Sequence, residues 1–484
     1  MIDVSNLHTG LYIDGSWRSA DATFTTTNPS TAQPLSELAA ADAADVDAAV
    51  TAATAAFRGE WGALAPSRKG ALLNRLADLV ERDLDQLAAL ESLDMGRPLG
   101  MSSALMIPNL IATLRYYAGW ADKINGELIA NDGYLGGPVP THAYTRREPI
   151  GVIGAIIPWN APLMILGWKL APALAAGNTM VIKPAEDASL SVLRLAELVD
   201  EAGFPPGTVN VVTGVGSVAG AALSRHPGVR KISFTGSTET GRTILRDSAD
   251  TFRRTALELG GKAPQIVFED ADLDAAIQGC AMGMFFNQGE VCAAGTRVLA
   301  HRKVYDAILE GLTDAAQAQV LGDPFDPSTT MGPLVNARQR DRVLGFLQTG
   351  ADEGAEVISG SAAPDSAGFY VTPTVLAGRN DMTVAREEIF GPVGVVIPFD
   401  TDDEALALAN DNQYGLSATV WTTDVSRAHT VAARLDAGAI GVNGWSPLAP
   451  QLPWGGVKAS GIGRELGYEG VLAYTEPKTV TVVL

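Results

Sequence analysis

A chain of 484 residues with 46% hydrophobic content is too long for one hydrophobic core, so two or three domains are expected. Its 35 basic and 55 acidic residues leave a net charge of −20, which argues against nucleic acid or an anionic membrane as partner. Two cysteines give no disulfide framework and point to a reducing, cytoplasmic setting, and five scattered histidines show no metal-ligand spacing, so no metal is expected. The start, Met1 to Asn6, lacks the basic-then-apolar pattern of a signal peptide. The most apolar stretch, Ile150 to Ala176, is interrupted by Pro158, Pro162, Lys169 and Pro172, which argues against a membrane span.

In chain order, Tyr12 to Trp17 reads as a hairpin turning at Asp14-Gly15. Alanine-rich helices are predicted at about 42–57 and 67–93, and another at 102–124. Residues 129–147 are polar and glycine-containing, an excursion from the main body. Strand and helix then alternate: strands at 151–157, 179–183, 209–213 and 231–234, with helices at 162–176, 189–202 and 237–248. The pattern resumes with strands at 265–268, 298–300, 393–398, 419–421 and 439–443, and helices at 272–286, 303–319 and 402–410. This order implies an α/β fold with parallel sheets covered on both faces. The β-branched tail Thr479 to Val483 reads as a strand that can pair within the chain or with a second copy.

Ligands bind parallel sheets beyond the carboxyl ends of the strands, which directs attention to the residues that follow each strand. Lys183 and Glu186 follow the strand 179–183. A carboxylate there suits ribose hydroxyls and repels a 2′-phosphate, but an ordinary helix-start glutamate fits equally well. The run from Gly214 through Gly216 to Gly220 is one residue off the usual dinucleotide spacing, and a simple tight turn explains it too. Gly236 and Ser237 open a helix where free N–H groups can meet phosphate, or where Ser237 serves only as an N-cap. Three such strand ends together favour a nucleotide site.

Cys292 stands in a loop of small residues, Glu290-Val291-Cys292-Ala293-Ala294-Gly295, after an Asn287-Gln288-Gly289 turn signal. A lone cysteine is usually a buried small hydrophobe. Here its setting permits close approach by a substrate, and the other motifs strengthen that reading.

These segments together resemble the NAD(P)-dependent aldehyde dehydrogenase superfamily. The resemblance runs from about residue 10 to the C-terminus and is carried by Pro158-Trp159-Asn160, Lys183-Pro184-Ala185-Glu186, Phe234-Thr235-Gly236-Ser237-Thr238, Leu257-Glu258-Leu259-Gly260-Gly261-Lys262 and the Cys292 loop. Glu387-Glu388-Ile389-Phe390-Gly391-Pro392, Asn443 and Pro453 to Gly461 complete it. It implies a Rossmann-like cofactor domain at 1–128 and 148–257 and an α/β catalytic domain at 258–467. A small β element at 129–147 and 468–484 would bridge them and join subunits into a dimer or tetramer, with Thr479 to Val483 adding a strand across subunits.

The resemblance also implies roles. Cys292 would be the nucleophile, Asn160 and the Cys292 N–H would hold the oxyanion, and Glu258 would activate water against a thioester. Lys183 and Glu186 would hold the adenosine ribose, Ser237 the pyrophosphate, Glu388 the nicotinamide ribose, and Phe390 would pack against the nicotinamide. Ile157, Pro158, Trp159, Gly216, Phe234, Gly236, Leu259 and Gly260 complete the cofactor surface. Glu186 favours NAD, and Lys183 beside it leaves use of NADP open. Two positions depart from the family: Glu290 stands where Gln is usual and is expected to raise the thiol slightly, and Trp454 stands where Phe is commoner.

The implied aldehyde tunnel is lined by Ala161, Met164, Trp168, Phe286, Val291, Ala293 and Leu448. It carries no cation, so an aromatic, terpenoid or aliphatic aldehyde is expected over a carboxylated or phosphorylated one, with phenylacetaldehyde-type enzymes the nearest relatives. A quaternary-amine aldehyde is disfavoured because the aromatic set is thin. Two alternatives remain: a coenzyme A-acylating semialdehyde dehydrogenase, against which Glu258 argues, and a thiol esterase without redox chemistry, which would turn over without NAD.

Overall fold

The computed structural model describes residues 7–358, 367–445 and 448–484. The strands Val152–Ile156, Thr179–Lys183 and Lys231–Thr235 are buried along nearly their whole length, as strands covered on both faces must be. They form the centre of an eight-stranded sheet. From one edge the order is Ser16–Arg18, Leu11–Ile13, Val209–Val211, Thr179–Lys183, Val152–Ile156, Lys231–Thr235, Arg254–Glu258 and Gly461–Ile462. Neighbours from Val209–Val211 to Arg254–Glu258 run parallel, and the outer pairings are antiparallel. The chain winds outward in both directions from Val152–Ile156, so the strand order reverses between it and Lys231–Thr235. A crevice opens at such a reversal, beyond the carboxyl ends of the strands.

A seven-stranded sheet holds the second core, in the order Glu356–Val357, Thr374–Ala377, Val393–Phe399, Arg297–His301, Pro264–Val267, Ser417–Trp421 and Ala439–Val442. The helix Pro162–Ala175 carries apolar residues on all sides and is buried on all but one of its positions. A helix apolar all round belongs in a core. It carries Trp168 and Lys169, and its first turn follows Asn160 directly.

The tail strand Thr475–Val483 is longer than its sequence suggests and pairs antiparallel with Thr141–Pro149 of the same chain. Leu128–Ile129 extends this to three strands. The polar excursion is therefore framed by strands, Leu128–Ile129 at its start and Thr141–Pro149 at its end. Gly461–Ile462, within the segment read as catalytic domain, pairs with Arg254–Glu258 of the cofactor sheet. The single helix expected at 67–93 is two, Pro66–Arg82 and Leu84–Met95, broken at Asp83, where ψ is 19°. The helix expected to reach 124 stops at Ala118.

The structure adds elements that the sequence pattern does not announce. The hairpin Ala22–Asn28 with Gln33–Ala40 has scattered apolar residues and only partial burial. The helix Ala337–Asp352 buries only Val343, Leu347 and Gly350, too thin a stripe to stand out. Arg254–Glu258 contains Ala, Leu and Glu, all helix formers, and becomes a strand through pairing with Lys231–Thr235. Among the described residues no helix is long and apolar enough to cross a membrane.

Candidate active site

The crevice at the strand reversal is a cleft of about 460 Å³. Its walls are Pro158, Trp159 and Asn160 after one strand, Thr235, Gly236 and Ser237 after the next, and Glu258, Leu259 and Gly260 after the third. The opposite wall is formed by Cys292, Arg338, Gln339, Arg342, Glu388 and Phe390. Eleven of the expected catalytic and cofactor residues thus meet in one place, together with Thr235 of the Phe234 to Thr238 motif, and Arg338, Gln339 and Arg342 join them without a signal in the sequence.

At the outer end, Ser237 caps the helix Thr238–Ala249 and accepts from the Thr240 N–H at 3.2 Å. Capping and an anion-facing helix start coexist here, since the first-turn N–H groups outnumber one hydroxyl. Lys183, Glu186 and Gly216 lie outside the lining of this cleft: Lys183 is buried with its ammonium 2.8 Å from Glu186 Oε2, while Glu186 Oε1 accepts the Gly216 N–H at 2.7 Å. Burial pushes the Glu186 carboxyl up, but Lys183 and the Gly216 N–H outweigh it and hold the group below its ordinary value. A fixed, ionised carboxylate at a strand end suits a pair of ribose hydroxyls. The Lys183 ammonium is already engaged, so the site offers little to a 2′-phosphate. Ile157 and Phe234 are buried beneath this surface, and a side chain at Gly236 would collide with the Phe234 ring.

On the far wall, Glu388 Oε1 accepts the Gly261 N–H at 3.0 Å, and Arg342 donates to the Glu388 carbonyl at 2.8 Å. Burial pushes the Glu388 carboxyl up to about 7, against the pull of the Gly261 N–H, Arg342 and Lys262. Phe390 has a φ of 61° and stands edge-on to Trp159, ring centres 5.2 Å apart. Its carbonyl accepts from Gln339 at 2.7 Å, which anchors this unfavourable backbone conformation. Asn443 serves strand packing: its amide exchanges hydrogen bonds with the backbone of Thr422.

Cys292 follows the short turn Phe286–Gly289 and is half-buried against the first core. Burial, then the carboxyls of Glu388 and Glu258, push its thiol above the ordinary range. Cys280 is wholly buried in the helix Leu273–Phe285, away from the cleft lining. Glu258 ends its strand with both carboxyl oxygens buried and without a hydrogen-bond partner in the protein. Burial and the nearby Glu465 raise it well above the ordinary carboxyl range, against Lys169 and Arg464. Lys169 and Glu465 form a buried ion pair, and Lys169 also donates to Thr235 Oγ1 at 2.8 Å.

The expectation for Glu290 needs correction. Its side chain is fully buried and turns away from the thiol, accepting the Val335 N–H at 3.1 Å. Burial raises this carboxyl well above its ordinary value, against the Val335 N–H and Arg97, and the carboxyls that push the Cys292 thiol up are those of Glu388 and Glu258.

All seven tunnel residues pack in or against the first core with Cys292. The structure adds Trp445, which donates to the Ala293 carbonyl at 3.1 Å and lies 5.6 Å from the Phe286 ring. It also sets Trp454 6.3 Å from Trp168. The aromatic set is therefore four residues, richer than Trp168 and Phe286 alone suggest.

The family model for the aldehyde dehydrogenase family matches residues 17–480. The chain belongs to the aldehyde dehydrogenase family. It is accordingly an α/β oxidoreductase that acts on the aldehyde group. Human mitochondrial aldehyde dehydrogenase is 46% identical over 98% of this chain and 91% of its own length. Retinal dehydrogenase 2 of Gallus gallus is 44% identical over 98% of this chain and 92% of its own. A solved NAD+ complex of the Bacillus cereus aldehyde dehydrogenase superposes with a TM-score of 0.96 at 44% identity, covering 99% of this chain and 97% of that one.

Proposed function

We propose that this aldehyde dehydrogenase oxidises medium or large apolar aldehydes to carboxylic acids with NAD and water. The observation that carries the reading is a thiol and a buried carboxyl without a hydrogen-bond partner, Cys292 and Glu258, lining one cleft with Asn160 and Ser237. NAD suits this site: the N–H groups that open the helix after Ser237 suit the pyrophosphate and Glu388 and Phe390 the nicotinamide half within the cleft, and Glu186, outside the cleft lining, suits the adenosine ribose.

Cys292 is held above the ordinary thiol range, so its proton must pass to water in the cleft as the sulfur attacks. The sulfur bonds to the aldehyde carbon and the carbonyl oxygen gains negative charge. The Cys292 N–H and one hydrogen of the Asn160 amide stabilise that oxygen. NAD, when bound, supplies the acceptor for the hydride that leaves this carbon, and a thioester on Cys292 results. Glu258 then takes a proton from a water, whose oxygen attacks the thioester carbon. The carbon–sulfur bond breaks, the acid leaves, and the thiolate is restored. A carboxyl raised by burial suits this proton transfer near neutral pH.

Glu258 favours release to water over release to coenzyme A. The apolar, cation-free tunnel favours aromatic, terpenoid or aliphatic aldehydes, in keeping with a relative named for retinal. Trp445 and Trp454 support a second reading, a quaternary-ammonium aldehyde held by cation–π contacts. Reduced-nicotinamide absorbance across a panel of apolar, carboxylated and quaternary-ammonium aldehydes, with NAD and NADP, decides. Efficient turnover of apolar aldehydes with NAD is expected; turnover confined to charged aldehydes overturns the reading. We also infer a cytoplasmic enzyme with domains near the sequence-based boundaries, self-associating through the free edge of Thr475–Val483.

A further inference from the structure

A buried polar network joins the two backbone segments that flank the oxyanion pocket. Arg97 follows the helix Leu84–Met95 and is wholly buried. Its Nε donates to Asn287 Oδ1 at 2.7 Å, its Nη1 to Glu91 Oε2 at 2.8 Å, and its Nη2 to the Asn160 carbonyl. The other oxygen of Glu91 accepts the Leu163 N–H at 2.9 Å, in the first turn of the helix after Asn160. Asn287 Nδ2 donates to the carbonyls of Asn160 and Glu290, each at 3.1 Å.

The Asn160 amide itself donates to the Glu290 carbonyl at 2.9 Å. A primary amide has two hydrogens in one plane. Committing one to Glu290 fixes the direction of the other, and Asn160 lines the cleft. That fixed direction depends on the distance between the Asn160 turn and the Glu290 loop, and one guanidinium bridges both.

The loop needs such a clamp. Asn287, Gln288 and Gly289 have φ values of 51°, 58° and 72°, three successive left-handed residues of which two are not glycine. A buried guanidinium is costly to desolvate, and packing alone would be served by an apolar side chain. What the planar fork adds is simultaneous reach to a carboxylate, an amide and a carbonyl.

We propose that Arg97 is a positioning residue for the oxyanion pocket, acting with Asn287 to hold the Asn160 amide and the Cys292 loop at a fixed spacing. This rests on the role given to Asn160 above, and one experiment separates the two. The pre-steady-state rate of reduced-nicotinamide formation is measured in the NAD-loaded enzyme for Asn160→Ala, Arg97→Lys and their double variant. Thermal melting and the Kd for NAD are measured alongside.

Asn160→Ala is expected to slow the step about 100-fold, as loss of an oxyanion donor does. Arg97→Lys, which cannot reach all three partners, is expected to slow it about tenfold with the Kd for NAD unchanged. On the Asn160→Ala background it should add less than about twofold, because the group it positions is gone. Asn287→Asp keeps a partner for Arg97 and removes both amide donations; it repeats the same cycle where Arg97→Lys folds poorly. A wild-type rate in Arg97→Lys and Asn287→Asp, or a loss that persists in full on the Asn160→Ala background, overturns the positioning role. A wild-type rate for Asn160→Ala itself overturns the oxyanion reading instead.

Discussion

The two ends of the site are built by different means. At the cofactor end, polar groups sit on the strand ends that carry them, and their partners are close in sequence: Lys183 with Glu186, Ser237 with Thr240. At the thiol end, the reacting groups are held by residues far away in the chain. Arg97 reaches Asn287 across 190 positions, and Asn160 reaches Glu290 across 130. The cofactor end thus depends on local geometry, and the thiol end on the docking of two cores. Damage at the first should weaken binding; damage at the second should slow chemistry.

The largest effect should come from Cys292→Ala, which removes the atom that bonds to substrate. A loss of about four or more orders of magnitude in kcat is expected, with the Kd for NAD held within about twofold. Glu258→Gln should cost about 100- to 1,000-fold in kcat. It should also accumulate an acyl-enzyme, visible as a burst of reduced nicotinamide followed by slow turnover. At the cofactor end, Glu186→Gln should leave kcat for apolar aldehydes close to wild type and raise the KM for NAD about tenfold, with relatively better use of NADP. A fall in kcat as large as that of Glu258→Gln would erase the contrast between the two ends.

Two smaller effects follow from proton binding. Glu388 is pushed up to about 7, so it loses its charge as pH falls through that value, and the KM for NAD should rise there. Glu388→Gln should flatten this dependence. The Glu258 carboxyl is raised in the fold, so its contribution to stability is full below the ordinary carboxyl range and lost as pH rises through the folded value. The Tm of Glu258→Gln, measured from about pH 5 to about pH 9, should therefore fall less than that of wild type. An equal fall in both would show that burial imposes no such penalty on Glu258.

The same contrast explains what was legible in the sequence. The α/β order follows from buried apolar runs alternating with helices, and Gly236-Ser237 or Lys183-Glu186 announce themselves because strand end and ligand-facing residue are adjacent. Glu258 is recognisable by motif but not by element, since Arg254–Glu258 becomes a strand only by pairing with Lys231–Thr235. Glu290 reads as a charge beside the thiol, and only the fold buries it and turns it toward Val335. Arg97, Glu91 and Trp445 carry no local signal, because what they do depends on which segments the two cores bring together.

The central claim, a covalent relay from Cys292 to water through Glu258, is tested most directly by trapping the intermediate. Glu258→Gln is mixed with NAD and an apolar aldehyde, quenched in acid during the slow phase, digested, and weighed by mass spectrometry. The account predicts the acyl mass on the peptide that contains Cys292. An unmodified Cys292 peptide in enzyme that has produced its burst of reduced nicotinamide would contradict it.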